Sequence, residues 1–365
     1  MVRESVSPAP AGCQAGLWGN RGPITQCHRW ASVTPVSSLR PVSGTAEEIT
    51  GLLADWLAAP AAEPLLIETS GSTGRPKRVA LSRDAVVASA RATHERLGGP
   101  GRWTLLLPPS YVAGVQVIVR ALLAGTAPDH ALAAREERSY VSVVPTQLAR
   151  MLDQPADVDL LRSYDSVLVG GASFDPVLRM RAHEAGVRVV STYGMSETSG
   201  GCVYDGMPLA GVAVQIGADG MVRLAGPVLF DGYDGDPQLT ASVMEGDWFV
   251  TSDLGEIDRD GRLRVLGRSD DVVNSGGVKV PASAVARRLG AHPSVIAAEV
   301  VGVADPEWGE RVVAVVVGAL GLDEARDWVA AEQPRTWAPR ELVAVDRIPL
   351  LDNGKVDRVA LRELR

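Results

Sequence analysis

The chain has 365 residues, 46% hydrophobic and 22% charged, enough for two folded domains and inconsistent with a disordered or fibrous polypeptide. Lys+Arg 36 against Asp+Glu 44 leaves a net charge of -8, so neither nucleic acid nor an anionic membrane is an expected partner. Cys13, Cys27 and Cys202 lack zinc spacing and are too few for a disulfide framework. No apolar run reaches the roughly 18 residues a membrane span needs, and a reducing, cytoplasmic setting is expected.

Residues 1–40 carry Pro8, Pro10, Gly12, Gly16, Gly19, Gly22 and Pro23, which predict an irregular arm. Apolar residues at helical spacing predict a helix over 47–57. Strands then alternate with helices: strands at 64–69, 77–81, 103–107, 140–144, 166–169 and 187–191, and helices at 83–97, at 113–123, after Pro145 and after Pro176. The alternation predicts a layered α/β domain with a largely parallel sheet. Short strands with Gly-rich turns over 203–267 predict a β-rich subdomain, with strands at 210–216, 221–224, 248–251 and 255–266. The last of these should fold as a hairpin about Asp260-Gly261. After Asp270 the pattern is α+β: a helix at 281–289, strands at 295–303 and 312–317, a helix at 322–332 and a strand at 342–345. The organisation expected is an arm (1–40), a large domain (41–269) and a small α+β domain (270–365).

Thr69-Ser70-Gly71-Ser72-Thr73-Gly74-Arg75-Pro76-Lys77 is the most informative stretch. Its glycines let the backbone approach an anion, its hydroxyls donate, and Arg75 and Lys77 bring positive charge, an inventory that suits a polyphosphate. Arg78 after Lys77 breaks the P-loop pattern, and the dinucleotide G-x-G-x-x-G is missing. A solvated turn is the competing reading, since Ser, Thr, Gly and Pro are all turn formers.

The string resembles the phosphate loop of the adenylate-forming enzymes: acyl-CoA synthetases, peptide-synthetase adenylation domains and luciferases. Further segments follow in that family's order. Gly170-Gly171-Ala172, after an apolar strand, is similar to the turn that contacts adenine. Tyr193-Gly194-Met195-Ser196-Glu197-Thr198, also after a strand, is similar to Tyr-Gly-x-Thr-Glu. The resemblance implies Tyr193 near adenine, Ser196 on the α-phosphate and Glu197 on magnesium, for which a carboxylate is a suitable hard ligand. Thr251-Ser252-Asp253-Leu254-Gly255 resembles Thr-Gly-Asp-x-Gly, with Ser252 in place of Gly, and implies Asp253 on the ribose hydroxyls. Gly267-Arg268-Ser269-Asp270-Asp271 implies Arg268 on the ribose and Asp270 as the hinge between domains. Gly276, Gly277 and Lys279 fall in the loop that faces the thiol, and Pro349 to Lys355 resembles the loop carrying the catalytic lysine, here Lys355. Seen one at a time, these segments also read as ordinary turns and solvated loops.

The resemblance implies an α/β large domain with a mobile α+β small domain. It also implies ATP, Mg2+ and coenzyme A, and a two-step ligation of a carboxylic acid through an acyl-adenylate. Within the family, the stretch from Leu107 to Thr126 and Val143 to Leu148 look like the compact actinobacterial o-succinylbenzoate–CoA ligases of menaquinone biosynthesis. Tyr111 stands where many of those carry His. An aromatic carboxylic acid is thereby the implied partner, with Tyr111, Val115, Thr146 and Met195 as its expected contacts. Ser110, Thr146 and Ser196 are candidates for a second carboxylate, and no arginine is singled out. A ligase or adenylating enzyme for another aryl or acyl acid, and a nucleotide-binding regulator without turnover, stay open as alternatives, as does a homodimer.

Overall fold

The computed structural model describes residues 40–69, 77–172, 174–349 and 356–364. The arm expected over 1–40 lies almost wholly outside them, as do Ser70, Gly71, Ser72, Thr73, Gly74 and Lys355.

A six-stranded sheet runs in the order Arg102–Leu105, Ser139–Val143, Ser166–Val169, Val189–Met195, Gly200–Tyr204, Met207–Pro208. Its first four strands are parallel, from Arg102↔Ser139 to Val169↔Ser191. Ser139–Val143 is buried along its whole length, as expected of a strand covered on both faces by crossover helices. Those helices are Val112–Leu123, Pro145–Leu152, Pro155–Ser163 and Pro176–Glu184. Three of them open on proline, which suits a first turn whose N–H groups have no intrahelical partner. The final two pairings turn antiparallel.

A four-stranded sheet joins Arg40–Pro41, Leu65–Thr69, Lys77–Leu81 and Gly232–Tyr233. Leu65–Thr69 and Lys77–Leu81 pair antiparallel with Thr69 opposite Lys77, so the two ends of the 70–76 segment are held side by side. The six-stranded sheet is thus the largely parallel one expected, whereas the strands Leu65–Thr69 and Lys77–Leu81 belong to a separate, mainly antiparallel sheet. Short hairpin connections can only join antiparallel neighbours, whereas the parallel ones need helical crossovers.

The β-rich subdomain is a five-stranded antiparallel sheet built on Trp248–Ile257. The two strands expected at 248–251 and 255–266 are otherwise divided. The first runs unbroken through Asp253, because a register shift at Leu254/Gly255 absorbs the irregularity as a bulge. It then turns at Asp260-Gly261 into Leu263–Arg268, the Asp258 carboxylate accepting from the Asp260 and Arg262 N–H groups. Similarly, the strand expected over 187–191 continues to Met195, because Tyr193 and Gly194 pair with Val203 and Gly201.

Beyond Arg268 a further five-stranded sheet carries the helices Ala282–Gly290, Leu322–Ala330 and Arg358–Glu363 around its own apolar core. Ala282–Gly290 docks on Leu263–Arg268: Ser283 Oγ donates to the Leu266 carbonyl at 3.2 Å, and Arg287 donates to the Val265 and Leu266 carbonyls, each at 3.2 Å.

Helix Val112–Leu123 is packed on both sides, and its Gly114 has no room for a side chain. A Cβ there would stand 2.1 Å from the Pro108 carbonyl oxygen and 2.8 Å from the Pro109 Cα, both unyielding backbone. Gly114→Ala is therefore expected to lower the unfolding free energy by about 1–3 kcal/mol. Urea denaturation checks this; a midpoint equal to wild type would show that the helix does not press on the 108–109 segment.

Candidate active site

The C-terminal ends of the parallel strands open into a cavity of about 800 Å³, a volume suited to a small-molecule ligand. This is where ligands bind in open α/β sheets, outside the carboxyl ends of the strands. Thr69, Lys77, Tyr111, Gly171, Gly194, Met195, Ser196, Glu197, Asp253 and Arg268 all line it. Ala172 and Tyr193 line an adjoining cavity of about 790 Å³, which shares Gly171, Thr192, Gly194, Met195, Asp253 and Arg268 with the first. Gly171 reaches its turn with φ +81°, a conformation glycine adopts without a Cβ clash.

The segment from Tyr193 to Ser199 makes a sharp corner. Strand Val189–Met195 ends in the short 3-10 turn Ser196–Thr198, and Ser199 closes it with φ 51°. Thr198 Oγ1 accepts from the Met195 N–H at 2.9 Å and lies 2.7 Å from the Gly200 carbonyl oxygen, to which it donates. The corner leaves Ser196 and Glu197 facing the cavity. Glu197 is held twice by one neighbouring segment: the Phe230 N–H donates to its carbonyl at 2.9 Å, and the Tyr233 hydroxyl donates to Oε1 at 2.7 Å. Tyr233 pairs through its backbone with Val79 in the strand that begins at Lys77, and the Lys77 ammonium lies 5.2 Å from the centre of its ring. Across the cavity wall the Tyr193 hydroxyl donates to Asp253 Oδ2 at 2.7 Å. Burial, and then the adjacent carboxylate, push both phenols well above the usual tyrosine range, so each stays a proton donor.

One wall of the cavity is built by the helix Val112–Leu123. Val112, Gln116 and Arg120, four residues apart, form a stripe on its inner face. Arg120 is 4% exposed, and its guanidinium lies 5.0 Å over the Trp103 ring. Burial lowers its pKa, interaction with Tyr204 works the other way, and an arginine keeps its charge regardless. No carboxylate pairs with it among the described residues, and its Nε finds no acceptor there. His94 beside it is pushed down to about 4 by burial and by that positive charge, so it is neutral at pH 7. Gln116 donates through Nε2 to the Val86 carbonyl at 3.2 Å, leaving its buried Oε1 without a partner among the described residues.

Other expected residues stand elsewhere. Val115 is fully buried in the main apolar core, on the face of the helix turned from the cavity. Thr146 is exposed on the first turn of Pro145–Leu152 and is not among the lining residues. Gly276 and Gly277 form the exposed connection between Val272–Ser275 and Val278–Pro281, and Lys279 is an exposed residue of the second strand; all three lie outside both cavities. Asp270 sits in the short 3-10 turn Ser269–Asp271, and its side chain lies outside what is described. Arg120, Gln116 and Tyr233 are the cavity residues that motif reading passed over. For Arg120 and Gln116 a signal existed: polar residues four apart in an otherwise apolar helix. For Tyr233 the sequence holds none, because β-pairing with a strand over 150 residues earlier brings it to the site.

Among the described residues no group of three or more His, Cys, Asp or Glu could cage a metal ion. Glu197 alone fits a cation that takes most of its oxygens from a phosphate ligand and water, which is the usual mode for magnesium. No helix among the described residues is long and apolar enough to cross a membrane.

Residues 54–232 match the AMP-binding enzyme family, and residues 285–355 match the AMP-binding enzyme C-terminal domain. The chain is 42% identical over 319 residues to a probable 2-succinylbenzoate–CoA ligase of Mycobacterium tuberculosis, covering 81% of this chain and 83% of that protein. It is 33% identical over 316 residues to the 2-succinylbenzoate–CoA ligase of Escherichia coli, with 81% and 67% covered. The solved structure of the o-succinylbenzoate CoA synthetase of Bacillus subtilis, in complex with its acyl-adenylate intermediate, superposes with a TM-score of 0.70 at 26% identity, covering 82% of this chain and 69% of that one. With this cavity, this corner and these matches, the chain belongs to the AMP-binding enzyme family.

Proposed function

We propose that the chain is an ATP-dependent acid–CoA ligase that converts o-succinylbenzoate to o-succinylbenzoyl-CoA through an acyl-adenylate, as a cytoplasmic step of menaquinone biosynthesis. The observation that carries the choice of acid is Arg120: a buried cation in the cavity wall with no carboxylate of the protein against it among the described residues. A buried charge without a counter-charge costs several kcal/mol, and a ligand bearing a second carboxylate supplies what is missing. Leu107, Pro108 and Val112 offer an apolar surface to an aromatic ring in the same cavity. The similarity to the probable 2-succinylbenzoate–CoA ligase of Mycobacterium tuberculosis and to the 2-succinylbenzoate–CoA ligase of Escherichia coli supports the same acid.

The chemistry follows from the groups at hand. A carboxylate is a poor acylating agent because oxide leaves badly. In the first step an oxygen of one of the acid's carboxylates attacks the α-phosphorus of ATP; the new O–P bond forms as the bond to pyrophosphate breaks. No general base is needed, since the acid is ionised at pH 7. Thr69, the 70–74 loop and Lys77 would hold the phosphates, Ser196 the α-phosphate, and Asp253 and Arg268 the ribose. Gly171, Ala172, Tyr193 and Gly194 would frame adenine, and Glu197 would hold magnesium. Magnesium, when bound, screens the negative charge that develops on the phosphate oxygens; Lys355 would add to that stabilisation. In the second step the sulfur of coenzyme A attacks the acyl carbon, the C–O bond to AMP breaks, and the thiol proton leaves. Rotation of residues 270–365 against 41–269 about Asp270 would exchange Lys355 for the Gly276, Gly277 and Lys279 segment between steps.

Arg120→Met keeps the length of the side chain and removes its charge. Its kcat/KM for o-succinylbenzoate is expected to fall by roughly 100- to 10,000-fold, while benzoate-type acids with one carboxylate keep their low rates or gain. Pyrophosphate release across an acid panel, with and without coenzyme A, measures this. Equal losses for both kinds of acid would move the proposal to a ligase for another aryl acid.

Lys355→Ala is expected to cripple adenylate formation and to leave thioester formation from supplied acyl-adenylate largely intact, because the ammonium acts on charge that develops only in the first step. Single-turnover assays of the two half-reactions separate them; equal falls would show that Lys355 does not act specifically on adenylate formation.

A further inference from the structure

We infer that Tyr233 is the positioning residue of the cation site. Its hydroxyl fixes Oε1 of Glu197 so that the carboxylate is already turned toward the nucleotide before the cation arrives, and its ring separates that carboxylate from Lys77. The inference rests on the reading that Glu197 holds magnesium.

Glutamate is a flexible ligand. A lone Glu loses side-chain rotamer freedom when it captures an ion, a cost that weakens binding. Here that freedom is removed in advance. The Phe230 N–H holds the Glu197 backbone at 2.9 Å and the Tyr233 hydroxyl holds the carboxylate at 2.7 Å. Tyr233 is itself immobilised. It is buried, its N–H donates to Thr240 Oγ1 at 2.9 Å, its backbone pairs with Val79, and the Phe230 ring packs edge-on at 5.1 Å.

The second part concerns charge. A site that must take both a polyphosphate and a cation needs a positive and a negative side chain close together, and such a pair tends to neutralise itself. Lys77 lies over the Tyr233 ring at 5.2 Å, and no ion pair joins it to Glu197 among the described residues. The ring face offers the ammonium a favourable partner that carries no net charge. Lys77 and Glu197 therefore remain available to ligands of opposite sign. An aromatic ring with a hydroxyl at its far end can do both tasks; phenylalanine can do only the second.

Tyr233→Phe tests this, since it deletes one oxygen and keeps the ring against Phe230 and Lys77. The probe is Mn2+, followed by electron paramagnetic resonance in the presence of ATP and without acid, so that binding is read apart from turnover. In Tyr233→Phe, Mn2+ should bind about ten-fold more weakly, the size expected for one hydrogen bond to a charged group. ATP binding in the presence of a chelator should stay unchanged. Glu197→Gln should weaken Mn2+ binding by itself, and adding Tyr233→Phe to it should cost nothing more. Wild-type Mn2+ affinity in Tyr233→Phe, or losses that multiply in the double variant, would overturn the role of Tyr233. Unchanged Mn2+ affinity in Glu197→Gln would instead overturn the assignment of the cation to Glu197. Melting temperatures of the three variants show that each comparison is between folded proteins.

Discussion

A guanidinium buried in a cavity wall is the constraint on which the proposed choice of acid depends. Arg120 is nearly inaccessible, rests on the Trp103 ring and touches Tyr204. What it lacks is a counter-charge from the described residues. Natural proteins tolerate such a group where a ligand completes it, and the cost of carrying it unpaired is the reserve from which selectivity is drawn: an acid without a second carboxylate leaves the charge uncompensated. His94, held neutral by burial and by that same charge, adds no competing cation. Gly114 makes the arrangement possible by letting the helix that carries Arg120 lie directly on the Pro108–Pro109 backbone.

Elsewhere in the cavity wall a different device operates, the closing of a carboxylate by a tyrosine. Tyr193 bonds Asp253 and Tyr233 bonds Glu197, both at 2.7 Å. Each phenol stays protonated, so each carboxylate is oriented by a neutral donor rather than by a cation that would cancel its charge. Neighbouring strands bring these groups together from distant parts of the chain, with Thr69 and Lys77 fixed opposite one another on either side of the 70–76 segment. The two cavities meet along Gly171, Thr192, Gly194 and Asp253.

Much of this was legible in the sequence, for identifiable reasons. Short contiguous runs of Gly, Ser, Thr and acidic residues stand out in a sequence, so the runs around Thr69, Glu197 and Asp253 could be singled out, and the fold brings those three residues to one cavity; strands separated by helical patterns announced the layered α/β domain. Side-chain direction within an element was harder. Val115 and Gln116 are neighbours, but one residue on a helix is a turn of about 100°, and the structure turns Gln116 to the cavity and Val115 to the core. Residues such as Tyr233 left no trace, because their role comes from pairing with a distant strand. The unbroken strand through Asp253 was hidden by Gly255, which in the sequence looks like a turn and in the fold marks a bulge.

The central claim is that the Arg120 charge is completed by the ligand. Titration calorimetry of o-succinylbenzoate and of its ester blocked only at the carboxylate that is not adenylated, each into the wild-type enzyme with a non-hydrolysable ATP analogue, tests it most directly. The diacid should bind roughly 100-fold more tightly than the half-ester, as expected when a buried charge keeps or loses its partner. Equal affinities would contradict the claim, since they would mean that the guanidinium does not meet the second carboxylate.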